Sequence, residues 1–171
     1  MTSKEYELIK DMLKRQKKLD ESIMSAYGLT EIDEENLRIA ILDEVGELTH
    51  ELKANWCWWK KTQAPVDNEK VLGELVDVWH FVLSYQNHFN CGEKGLCGFS
   101  IEKESVDNYL KRLRTEVVTF SSSLICLVRF KLTIISLLVA ITEYLGFSIE
   151  DVYKAYCDKN KVNYQRLKEG Y

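Results

Sequence analysis

An all-α fold of about six helices is what this sequence predicts, and three observations predict it. The 171 residues contain one proline, Pro65, and eight glycines, too few breakers for the many turns of a sheet protein. Apolar residues recur at helical spacing over long runs. Residues 71–83 are apolar on nearly every side, interrupted by Glu74, Asp77 and His80 on one narrow stripe, the pattern of a buried helix. The length suits a single domain over residues 1–171 with a real core. A composition of 46% hydrophobic and 29% charged residues is that of a soluble globular protein.

Taken in order, residues 4–24 carry Tyr6, Ile9, Met12, Leu13, Leu19 and Ile23 on one helical face. Gln16 and Asp20, one turn apart, border that face, and spacing alone reads them as a solvated helix edge. Gly28 and Thr30 mark a break. Asp33, Glu34 and Glu35 then suit a helix start, where acids meet the positive end of the dipole. This second helix is expected to run to about Trp56, with Leu37, Ile41, Val45, Leu48 and Leu52 inward and Glu44, Glu47 and Glu51 at the wet margin. After a loop around Pro65, a third helix reaches about Phe89. A glycine-bearing loop follows to Ser100, then a fourth helix from near Glu102 and a fifth from about Phe130 to Leu145, closed by Gly146. Ser148 with Asp151 three residues on marks the N-cap of a sixth.

Charge and cysteines narrow the setting. A formal charge of −4 gives no general attraction to nucleic acid or membranes. Arg129 and Lys131 split the most apolar run into pieces shorter than the ~20 residues of a membrane span. The five cysteines, at 57, 91, 97, 126 and 157, form no C-x-x-C pair, and no signal peptide opens the chain. Reduced thiols in a cytoplasm are therefore expected.

The chemistry lies in two acidic pairs. Glu44 and Glu47 share one helix face, as do Glu74 and Asp77. An unpaired carboxylate on a buried helix must find cations or stay protonated. Four carboxylates facing one another around divalent metal answer that need. Hard oxygen ligands favour Mg²⁺, with Mn²⁺ as a substitute. The reaction class using such a site is polyphosphate hydrolysis. Nearby, Trp56, Trp58 and Trp59 precede Lys60 and Lys61. Aromatics at a helix end are most often core plugs, but beside a metal site they also suit a stacking wall for a base, with lysines directed at phosphate. Lys159, Asn163 and Arg166, at i, i+4 and i+7, form a mostly cationic face of the last helix, suited to polyphosphate. A di-iron bundle would need two E-x-x-H motifs, and the chain offers a single D-x-x-H, Asp77 to His80. His80 thus reads as a packed, hydrogen-bonded histidine. A non-catalytic helical interaction protein would leave Glu74 and Asp77 unexplained.

With these residues in view, the chain resembles the dimeric all-α dUTPases, a branch of the all-α NTP pyrophosphohydrolases that also holds dCTPases and MazG-like house-cleaning enzymes. Four blocks carry the likeness: residues 12–20, Glu44 and Glu47 leading to Trp59 and Lys60, residues 74–81, and residues 153–166 closed by Gly170 and Tyr171. The resemblance implies a homodimer hydrolysing dUTP and dUDP to dUMP with Mg²⁺. It implies that Glu44, Glu47, Glu74 and Asp77 hold the metals, one of the first two also orienting or deprotonating the attacking water. Lys159, Asn163, Arg166 and Tyr171 would contact phosphates and sugar. Gln16 and Asp20 would face the uracil edge, and Trp59 would line the base pocket. The family often has asparagine where Asp20 stands, and an ionised aspartate accepts hydrogen bonds without donating them, which bears on the choice between uracil and cytosine. Leu167 replaces a common glutamine.

Overall fold

In the computed structural model the described residues are 2–90, 92–93 and 134–170. They form six helices and no strands: α1 (Ser3–Tyr27), α2 (Glu34–Glu51), α3 (Lys53–Trp56), α4 (Asn68–Phe89), α5 (Ile134–Tyr144) and α6 (Ile149–Glu169). The expected helix from Glu102, the start of the next one near Phe130, Arg129 and Lys131, the cysteines at 91, 97 and 126, and Tyr171 lie outside the described residues.

Local chemistry sets the helix ends. Thr2 and Glu5 form a capping box on α1, which stops at Gly28 with φ +66°, a left-handed conformation natural to glycine. Asp33 caps α2 by accepting from the Asn36 amide at 2.7 Å. Asp67 does the same for α4, and Ser148 with Asp151 builds the expected capping box on α6. The second helix ends earlier than the sequence suggests. Leu52 turns out of helical geometry, and residues 53–56 make a separate single turn. Among the described residues no helix is long and apolar enough to cross a membrane.

The apolar run in residues 71–83 makes α4 the centre: it packs against α1, α2, α5 and α6. Leu75, Val78, Trp79, Val82 and Leu83 are fully buried there. Antiparallel packing of α2 on α4 is pinned at one end by Tyr85, whose hydroxyl donates to Glu34 Oε1 at 2.7 Å, with Arg38 bridging both residues. The same arrangement sets Glu44 opposite Asp77. α6 lies parallel to α1, with Tyr153 reaching Asp11 and Tyr156 reaching Gln16. The tryptophans after α3 are not core plugs: Trp58 is 88% exposed, and Cys57 is the buried member of that stretch.

Trp79 donates its indole N–H to Thr142 Oγ1 at 3.0 Å, joining α4 to α5 in the middle of the core. Thr142→Val keeps the shape but leaves that N–H without a partner, which costs about 1–3 kcal/mol. Urea unfolding should therefore show a lower midpoint with an unchanged slope.

Candidate functional site

The two acidic pairs meet where α2 faces α4. Glu44, Glu74 and Asp77 each bring a carboxylate oxygen within 4.8 Å of the others, a grouping able to hold a metal ion. Glu47, more exposed, stands near enough for its charge to act on both Glu44 and Glu74. Burial is the first cause that pushes the Glu44 carboxyl from its ordinary 4.5 up to about 7, and the charges of Asp77, Glu47 and Glu74 push it further. Glu74 is raised for the same reasons. Lys159 of α6 opposes this crowding, its Nζ lying 2.7 Å from Asp77 Oδ2. An all-oxygen donor set that strains to keep its own charge fits a hard divalent cation.

Beside this cluster a cavity of about 690 Å³ runs between α1, α2, α4 and α6. Glu44, Glu47, Asp77, Lys159, Asn163 and Arg166 line one end of it. Gln16, Asp20, His80 and Ser84 line the other, among apolar side chains that include Ile23, Met24, Tyr27 and Phe81. Thus one cavity joins eight of the residues singled out from the sequence. Glu74 sits at the cluster and lines a smaller neighbouring groove with Glu47, His50 and Glu51. Trp59 and Lys60 stand outside the cavity lining, Trp59 being 58% exposed and packed at an angle to Trp56 and edge-on to Trp58. The aromatic side chains lining the cavity are Phe81 and Tyr27.

Gln16 and Asp20 are not a solvated edge: each is 5% exposed. Their burial is possible because partners arrive from other helices. Gln16 Oε1 receives His80 Nδ1 at 2.8 Å and the Tyr156 hydroxyl at 3.0 Å, while Gln16 Nε2 donates to Asp20 Oδ1 at 2.7 Å. His80 is the packed, hydrogen-bonded histidine that its surroundings in the sequence suggest, stacked on Tyr156 with ring centres 4.2 Å apart. Burial, with help from Lys159, pushes its imidazole down to about 3, so it is neutral. Burial raises the Asp20 carboxyl, and hydrogen bonds from Gln16, Ser84 and His88 pull it back. Sequence reasoning missed Tyr156, His88 and Ser84, which lie in otherwise apolar or unremarkable helical surroundings. The available signal was the placement of Gln16 inside the run of Ile9, Met12, Leu13 and Leu19.

The crowded cluster generates a pH dependence with a definite sign. In the cation-free protein, folded Glu44 keeps its proton until about pH 7, whereas the unfolded chain releases it near 4.5. The folded state binds the extra proton between those values, so stability falls as pH rises through that window. Thermal unfolding in EDTA across it should show this loss. Glu44→Gln should flatten the slope, and a divalent cation should restore stability on the alkaline side.

A family profile described as dUTPase matches residues 8–171, a stretch that takes in both acidic pairs, Gln16, Asp20 and the cationic face of α6. No individual curated protein matches the chain. With nearly its whole length matched, the chain belongs to the dUTPase family and is an all-α dUTP diphosphatase, an enzyme that hydrolyses dUTP.

Proposed function

We propose that the chain is a single-domain, Mg²⁺-dependent enzyme that works as a homodimer and converts dUTP to dUMP and pyrophosphate, and dUDP to dUMP and phosphate. The observation that carries the reading is the convergence of Glu44, Glu74 and Asp77 at one end of a cavity whose other end is apolar and hydrogen-bonding. A nucleotide needs both ends at once. Glu44, Glu47, Glu74 and Asp77 would hold the cations. Mg²⁺ bound there supplies positive charge to the phosphate oxygens and makes water easier to deprotonate.

The remaining work falls to the chain itself. Glu44 or Glu47 takes the proton of the attacking water. Lys159, nearest the carboxylates, receives phosphate oxygens together with Arg166 and Asn163 farther along the same face of α6. Gln16 and Asp20 meet the base edge, with Phe81 and Tyr27 against its ring. Cys57 and Cys157 are free thiols, in keeping with a reducing, cytoplasmic setting.

A panel of deoxynucleotides assayed for pyrophosphate release with and without Mg²⁺ tests the reading. dUTP should be turned over fastest and only with the cation; faster turnover of dCTP would overturn the uracil assignment. Glu74→Gln and Asp77→Asn keep side-chain size while removing a ligand charge. Each should lower kcat by more than about 100-fold, the upper end of what losing a mere supporting partner of a metal site costs. The circular dichroism spectrum should be unchanged. Near-normal turnover in either variant would refute the ligand assignment.

A further inference from the structure

Behind the base end of the cavity, α1, α4 and α6 meet in one continuous hydrogen-bonded network. Tyr156 and His80 both donate to Gln16 Oε1, and Gln16 Nε2 donates to Asp20 Oδ1. His88 Nε2 lies 3.1 Å from Asp20 Oδ2. An ionised carboxylate can only accept. The Gln16 amide must therefore turn its NH₂ toward Asp20, because the reverse orientation sets two acceptors face to face. Its oxygen is then left to Tyr156 and His80, which occupy both lone pairs. Counting what remains, Gln16 can offer a ligand one N–H and nothing else, while Asp20 can offer only lone pairs.

We infer that Tyr156 and His88 are positioning residues that set base selection: by holding Gln16 as a pure donor beside Asp20 as a pure acceptor, they make the cavity choose uracil over cytosine. The inference rests on the proposed placement of the base against Gln16 and Asp20. Uracil presents a carbonyl oxygen next to N3–H, which answers a donor next to an acceptor. Cytosine in the same register turns the N3 lone pair toward the carboxylate, and no proton lies between them. Sliding the ring by one position would mend the pairing but drag the sugar and phosphates away from Lys159 and the carboxylates at the far end. Neither Tyr156 nor His88 lines the cavity, so neither touches the base; both act through the pair they hold. A site that hydrogen bonds its ligand rejects the analogue that leaves its buried groups unpaired.

The test compares kcat and KM for dUTP and dCTP in the wild type and four variants, with folding checked by circular dichroism. Tyr156→Phe and His88→Leu should each lower the ratio of kcat/KM for dUTP over dCTP by about tenfold, the worth of roughly one hydrogen bond. The loss should fall mainly on the KM for dUTP. His88→Gln, which keeps an N–H donor, should restore the ratio. A purely structural role would weaken both substrates alike and leave the ratio unmoved, and that result would overturn the inference. Gln16→Ala separates the two levels. A collapsed ratio there, with the wild-type ratio in Tyr156→Phe and His88→Leu, leaves the base site standing and refutes the positioning role. An unchanged ratio in Gln16→Ala refutes the base site itself. Should Tyr156→Phe fail to fold, the His88 pair, at a less buried position, decides the matter.

Discussion

Like charges held close together are the constraint around which this molecule is arranged. Glu44, Glu74 and Asp77 converge within 4.8 Å, and Lys159 pairs directly with Asp77. Repulsion at such distances weakens the fold unless protons or cations intervene. Glu44 shows the consequence, its carboxyl pushed up to about 7. A chain selected for stability alone would not gather these side chains. Their gathering makes sense as a grip on divalent charge, and through it on a polyphosphate.

Helix α4 contributes side chains to both ends of the cavity. Trp79 and Leu75 anchor it in the core on one side, and Glu74 and Asp77 face α2 on another. His80, one turn beyond Asp77, faces α1 and α6, where it bonds Gln16 and stacks on Tyr156. One rigid element therefore fixes the distance between the acidic cluster and the Gln16–Asp20 pair. Sites built on helices hold such spacings better than sites built on loops. Arg38, Glu34 and Tyr85 keep α2 in register with α4, so the register of the carboxylates depends on contacts at the far end of the pair.

Most of this was legible in the chain, for a physical reason. A helix apolar on nearly all sides must be central, and acids on such a helix must have partners, so α4, its acidic stripe and the opposing pair on α2 could be read from spacing. The caps at Asp33 and Ser148 and the stop at Gly146 were likewise local signals. Gln16 and Asp20 were misread as a wet edge because their burial depends on His80 and Tyr156, 64 and 140 residues from Gln16 in sequence. Periodicity shows which face a residue occupies but not whether a distant helix brings it a hydrogen bond. The reading of the tryptophan block as a core plug failed in the opposite direction. Three large aromatics at a helix end suggested core, yet the chain leaves helical geometry at Leu52 and carries them outward, while Phe81 and Tyr27 line the cavity.

The central claim is that these acids exist to bind cations, and it is most directly tested by titrating Mn²⁺ into the protein while following the free-ion electron paramagnetic resonance signal. Saturable binding in the wild type, abolished in a Glu44→Gln, Glu74→Gln and Asp77→Asn triple variant that is still folded, is the predicted result. Equal uptake by the triple variant, or none by the wild type with nucleotide present, would contradict it.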